Sequence, residues 1–269
     1  MSWLAVTVEV DAGAAEAMSD ALLEAGAESV ALEFGKLAAI LPAKGDPRAT
    51  VARAAQAAGI TEPPWEVKPL EDRDWVRASQ AQFAPFAVGR LWIGASWHEP
   101  PSDGRLIARI DPGLAFGTGS HPTTRLALSW LEANLRSGES VLDYGCGSGI
   151  LAIAAAKLGA GRVDAVDIDP QAVQAAAENA ARNRVEVRAL APESLGPAQY
   201  DVVVSNILLQ PLVVLAPLLA ASATPRGRIA LTGVLESHAQ ELADAYAPWF
   251  NAGPVLHEDG WALVGGARK

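Results

Sequence analysis

What the chain has little of narrows its function before any motif is read. It holds one cysteine, Cys146, so no internal disulfide can form and a reducing, cytoplasmic setting is expected. Positive charge is scarce: 21 Lys and Arg stand against 31 Asp and Glu, a net charge of −10. A surface of that sign repels a polyanion, so no direct nucleic-acid requirement is expected. The start, MSWLAVTVEV, lacks the basic, apolar and small-residue order of a secretory signal. The charge-free run from Val202 to Pro225 is interrupted by Asn206, Gln210, Pro211 and Pro217. It reads as buried strand, loop and helix, and no membrane association is expected. Between Glu71 and Pro101 no His, Cys and carboxylate spacing resembles a metal site, and no metal is expected.

What is present is apolar mass in two different patterns. At 269 residues and 50% hydrophobic the chain can bury a substantial core, as one large domain or two modest ones. Trp3 to Val10 alternates like a strand, and Ala12 to Ala25 carries apolar residues at helical spacing. Ser29 to Phe34 and Leu37 to Leu41, divided by Gly35-Lys36, suit a tight hairpin. Asp46-Pro47 opens a helix that Gly59 ends, and Trp65 to Pro69 is a last strand. The order βαββαβ predicts an α+β, ferredoxin-like domain over residues 1–69. It carries ten Asp and Glu against five Lys and Arg. That surplus is either a solvated surface or a docking face for a basic protein.

Residues 70–82 are expected to form a linker helix, followed by two strands. The tryptophans Trp75, Trp92 and Trp97 around it suit packing better than a ligand cage. From His121 onward helices and strands alternate, among them a strand at Val185 to Ala189, a helix at Leu212 to Ala220, a strand at Gly227 to Thr232 and a final hairpin, predicting a parallel, doubly wound sheet within a domain spanning residues 83–269. Ligands of such sheets bind beyond the carboxyl ends of the strands.

Two loops fall at those ends. Asp143-Tyr144-Gly145-Cys146-Gly147-Ser148-Gly149 follows a strand and opens a helix, and its alternate glycines let a cofactor approach bare backbone. Asp167 ends the next strand, where a carboxylate can accept both hydroxyls of a ribose. A dinucleotide fingerprint would need glycine where Ile150 stands and would set a pyrophosphate beside Asp143. S-adenosylmethionine carries a sulfonium and an ammonium instead, which an acidic loop attracts, so it is the expected cofactor. Cys146 has no basic neighbour and reads as a small filler. The second loop, Ser205-Asn206-Ile207-Leu208-Leu209, ends an apolar strand. The Asn206 amide can accept hydrogen bonds from a substrate amine and aim its lone pair, or it can simply close an Asx turn. Asp111 to Thr124, DPGLAFGTGSHPTT, has the glycines and hydroxyls of a covering segment. Its His121 reads as a helix cap more readily than as a base.

In this order, DPGLAFGTGSHPTT, VLDYGCGSGILAIAAAKLGA with VDIDP, and SNIL resemble the PrmA family, the methyltransferases of ribosomal protein L-eleven. The similarity is dense from Asp111 to about Leu209. The glycine loop is common to class I methyltransferases, whereas GTGSHPTT with Asn-Ile-Leu is more specific. The resemblance implies a class I Rossmann-like domain that methylates lysine ε-amines and the terminal α-amine of that ribosomal protein, up to trimethylation. It also implies that the amino-terminal domain recognises the substrate. Carried over by position, Thr124, Gly145, Gly147, Asp167 and Asn206 would contact the cofactor, with Asn206 also catalytic. Leu209 stands where the family usually has alanine, which touches only local loop shape. A monomer is expected. Methylation of a small amine or RNA, and a non-catalytic nucleoside-binding role, are the competing readings.

Overall fold

A computed structural model describes residues 3–10, 14–33, 36–70, 84–111 and 121–269. The chain divides into two compact units, residues 1–82 and 83–269. In the first, β1 (Trp3–Glu9), α1 (Ala15–Glu24), β2 (Ser29–Glu33), β3 (Lys36–Pro42), α2 (Pro47–Ala57) and β4 (Trp65–Leu70) build an antiparallel sheet of order β2-β3-β1-β4. Asp46 caps α2 as its Asp-Pro start predicts, accepting from the Arg48 and Ala49 amides. Val6 and Val8 of β1, Met18 and Leu22 of α1 and Val51 of α2 meet in the core of this unit. Of the linker helix expected over 70–82, Leu70 instead ends β4, and residues 71–82 lie outside the described residues, as does Gly35.

The second unit begins with a small sheet of its own: β5 (Phe86–Val88), β6 (Leu91–Gly94) and β7 (Leu106–Arg109), with β6 and β7 parallel. Two strands were expected there. The third, β7, is only four residues long, too short to show a period in sequence.

The main sheet has the order β10-β9-β8-β11-β12-β14-β13. Its strands are β8 (Ser140–Tyr144), β9 (Arg162–Val166), β10 (Arg188–Leu190), β11 (Tyr200–Asn206), β12 (Ala223–Leu235), β13 (Phe250–Glu258) and β14 (Trp261–Arg268). The first five in that order are parallel, while β14 and β13 run antiparallel at one edge, so the sheet is mixed. Successive residues feed opposite faces: in β11, Val202 and Val204 enter one core and Val203 the other. Burial on both faces is why these strands read as continuous apolar runs. The first core holds α3 (Pro122–Asn134) and α4 (Ile150–Lys157), together with the alanine stripe of α5 (Pro170–Asn183). The other holds α6 (Leu209–Val214), α7 (Ala216–Ala221) and α8 (Ala239–Tyr246).

Three boundaries differ from expectation. The strand expected at Val185 to Ala189 is β10, because the chain first turns through Arg184 at φ 54°. The single helix expected at Leu212 to Ala220 is split into α6 and α7, with Pro217 in the first turn of the second. Strand β12 runs from Ala223 to Leu235 rather than from Gly227 to Thr232. No helix among the described residues is long and apolar enough to cross a membrane.

Tyr246 of α8 is fully buried and donates to the Leu212 carbonyl of α6 at 2.9 Å, tying down the helix that follows the Asn206 loop. Tyr246→Phe leaves that carbonyl unpaired and should cost about 1–2 kcal/mol, read as a lower urea midpoint. An unchanged midpoint would show the bond to be dispensable.

Candidate active site

Both loops singled out in the sequence lie at the carboxyl edge of the main sheet. Between β8 and α4, Gly145, Gly147 and Gly149 adopt φ of 78°, 51° and 78°, a region that side chains with a Cβ avoid. The loop is also closely packed. A Cβ on Gly145 would come within 2.3 Å of Ile207 Cγ2, and one on Gly149 within 2.9 Å of Ala176 Cβ. Glycine is therefore demanded twice at these two positions, by conformation and by space.

Asp167 follows β9 and is half-buried. Its Oδ2 accepts from the Gly147 amide at 2.8 Å and its Oδ1 from the Asp169 amide at 3.0 Å. The carboxylate is thus fixed across the glycine loop, and each oxygen retains a lone pair for a further donor. Asn206 ends β11, and its Nδ2 donates to Thr124 Oγ1 at 3.2 Å. Thr124 lies in the first turn of α3 and is buried. Two residues 82 positions apart thereby share one hydrogen bond. Alongside, Ser205 Oγ donates to the Tyr144 carbonyl at 2.6 Å, locking the ends of β11 and β8 together.

Of the segment Asp111 to Thr124, residues 112–120 lie outside the described residues. His121 is described, and it caps α3: its Nδ1 accepts from the Thr123 amide at 3.3 Å, and its ring meets Trp261 edge-on at 4.7 Å. The histidine is the helix cap that its place before Pro122 predicts. Cys146 is buried, and burial, with Asp143 and Asp167 nearby, pushes its thiol well above the ordinary range, so it is no nucleophile.

Electrostatics single out Asp143, the fourth residue of β8. It is 1% exposed. Its Oδ2 accepts from the Ala152 amide in the first turn of α4 at 3.0 Å, but its Oδ1 has no hydrogen-bond partner among the described residues. Burial is the main cause that raises its carboxyl from 3.8 to about 7; the Asp167 charge adds to the rise and the Ala152 bond opposes it. An acidic site with an unpartnered buried oxygen suits a cationic ligand.

Asn179 of α5 was not anticipated. It is 2% exposed and donates to the Ser148 carbonyl of the glycine loop at 3.0 Å. Its sequence signal, Asn179 and Asn183 four apart on a helix otherwise lined with alanine, looks like ordinary polar decoration. Ile168, 86% exposed directly after Asp167, is a second unanticipated feature at this edge.

Comparison with known proteins shows which family the chain resembles along its length. The family model described as ribosomal protein L11 methyltransferase (PrmA) matches residues 33–269. A ribosomal protein L11 methyltransferase of Cupriavidus metallidurans is 46% identical over 296 aligned residues, covering 100% of this chain and 97% of that one. One of Neisseria meningitidis serogroup A is 46% identical, with 100% of both chains covered. The crystal structure of a ribosomal protein L11 methylase from Lactobacillus delbrueckii subsp. bulgaricus superposes with a TM-score of 0.61 at 33% identity, covering 68% of this chain and 98% of that one.

A pH test follows from Asp143. Its carboxyl is raised on folding, so the native state binds more protons than the unfolded one between about pH 4 and 7, and stability of the ligand-free protein falls as pH rises through that window. An amide in its place does not titrate. The thermal midpoint of Asp143→Asn minus that of wild type should therefore grow from pH 5 to pH 8. A difference that stays flat over that range sinks this account of Asp143.

Proposed function

The chain belongs to the PrmA family of ribosomal protein L11 methyltransferases, and on that premise we propose that it methylates lysine ε-amines and the terminal α-amine of ribosomal protein L11, up to the trimethyl state. The observation that carries the site assignment is the pairing of Gly147 with Asp167 and of Thr124 with Asn206 at one sheet edge. S-adenosylmethionine is the methyl donor of this family, and the acidic loop fits it: a pyrophosphate there would face Asp143 and Asp167 together, whereas a sulfonium and an ammonium would be attracted by the field of both carboxylates. Bound at this edge, the cofactor supplies a methyl group made electrophilic by its sulfonium.

The roles of the residues follow from their fixed orientations. Asp167, held by the Gly147 and Asp169 amides, accepts from the two ribose hydroxyls. Gly145 and Gly147 keep the loop free of side chains so that the cofactor reaches the backbone. Exposed Ile168 offers an apolar surface to the base. Thr124 takes the amide hydrogen of Asn206, which leaves the Asn206 oxygen to accept from the substrate amine and aim its lone pair. Lysine is ordinarily protonated below about pH 10.4 and must lose its proton before attack. Asn206 and Thr124 are both neutral, so that proton passes to water, helped by desolvation of the ammonium.

The βαββαβ unit is read as a ferredoxin-like substrate-recognition module over residues 1–69, joined through residues 70–82 to the transferase domain. Its acidic surplus suits a basic ribosomal protein. The enzyme is read as a cytoplasmic monomer with no direct nucleic-acid requirement.

Incubation with labelled S-adenosylmethionine, purified ribosomal proteins and ribosomal RNA tests the reading. Label is expected on one small ribosomal protein; label confined to RNA would refute it. Asp167→Ala should weaken cofactor binding about tenfold or more. Asn206→Ala should instead slow transfer at saturating cofactor by about a hundredfold. Equal loss of cofactor affinity in both variants would contradict this division of roles.

A further inference from the structure

Helix α5 buries Ala172, Ala176, Asn179, Ala180 and Asn183. Alanines on such a stripe permit close approach, and the Gly149–Ala176 contact shows the glycine loop using it. Two asparagines on the same buried stripe are out of place unless both amides are fully occupied. Asn183 behaves like a peptide unit of a missing strand: it accepts from the Arg109 amide at 2.7 Å and donates to the Arg109 carbonyl at 2.6 Å. It thereby covers the edge of β7 that β6 does not pair.

Asn179 joins two elements. Its Nδ2 donates to the Ser148 carbonyl at 3.0 Å, while its Oδ1 accepts from the Asp111 amide at 3.2 Å and from Arg182 Nη1 at 2.7 Å. Asp111 is itself held, by the Ser96 amide at 2.6 Å and by Arg182 at 3.4 Å. One buried amide thus links the glycine loop to the end of β7.

We infer that Asn179 is a positioning residue for cofactor binding, holding the glycine loop in its binding conformation by bridging Ser148 to Asp111. The inference rests on the glycine loop being the S-adenosylmethionine site. Its physical reason is the loop itself. Three glycines in five residues give it few side chains of its own to anchor it, and whatever freedom it keeps when empty is lost on binding. Asn179 removes that freedom beforehand from behind the loop. Losing it should weaken binding and leave the methyl-transfer step nearly untouched.

Asn179→Asp keeps the size and both acceptor bonds but replaces the donor facing Ser148 with an oxygen. Calorimetry with S-adenosylmethionine should show a dissociation constant raised about tenfold, the worth of one hydrogen bond, with kcat at saturating cofactor within about twofold. Asn183→Ala, which loses the Arg109 pairing and keeps the Ser148 bond, should stay within about twofold of wild type in cofactor affinity. A lower thermal midpoint for Asn179→Asp with unchanged cofactor affinity would mean that the residue only packs, and would overturn the inference. If that variant does not fold, hydrogen exchange on the wild type decides. Cofactor should slow exchange at the Asp111 amide together with Gly147; protection confined to Gly147 and its neighbours would also overturn it. Wild type that fails to bind S-adenosylmethionine at all would instead refute the site assignment.

Discussion

A buried carboxylate with one oxygen unpaired among the described residues, that of Asp143, is the constraint at the sheet edge where the proposed chemistry takes place. The chain contains a second buried aspartate, Asp164, and the contrast is instructive. Both are 1% exposed. Burial alone would raise the Asp164 carboxyl, but hydrogen bonds from Arg188, Tyr200 and Arg162 hold it below the ordinary range. That is a satisfied charge in a structural cluster, and it asks for no ligand. Asp143 receives one amide from the first turn of α4 and, among the described residues, nothing on its other oxygen. A fold that fully partners one buried carboxylate and half-partners another has placed its electrostatic strain at this sheet edge, where the field of a nearby cation lowers it.

The neighbours of Asp143 follow from that constraint. Helix α4 must begin close enough for Ala152 to reach the carboxylate, so the turn after β8 is compressed into five residues containing three glycines. A turn so poor in side chains needs fixing from outside. Asp167 grips it in front through the Gly147 amide, Ile207 closes over Gly145, and α5 presses from behind through Ala176 and Asn179. These contacts come from the turn and helix that follow β9 and from the loop that follows β11, which a doubly wound sheet gathers at one edge.

This division explains which features were readable in the sequence. The glycine loop, Asp167 and Asn206 were, because each is a local exception at a strand end: glycines where side chains are usual, or a polar residue closing an apolar run. Asp46 and His121 were readable as caps for the same reason. Asn179 and Asn183 were not, since a helix surface accepts asparagine anywhere and only the approach of Ser148 and Arg109 reveals their burial. Strand β7 escaped because its four residues draw on that same tertiary support. The boundary of β10 and the split between α6 and α7 depended on a left-handed Arg184 and on where Pro217 falls within a turn, both finer than apolar periodicity.

The same charges discriminate between cofactors. In a nucleotide-binding turn of the common kind, the helix amino terminus and bare loop amides attract phosphate. Here the amides near that terminus are already directed at carboxylates: Ala152 to Asp143 and Gly147 to Asp167. The positive end of α4 is therefore screened by two acids, one of which raises the pKa of the other. An anion arriving at this edge would meet repulsion before it met a free donor, while a ligand bearing an ammonium and a sulfonium would lower the energy of both carboxylates. Selection of a sulfonium cofactor over a phosphate-bearing one thus lies in how the loop's own amides are occupied. A count of glycines does not disclose it.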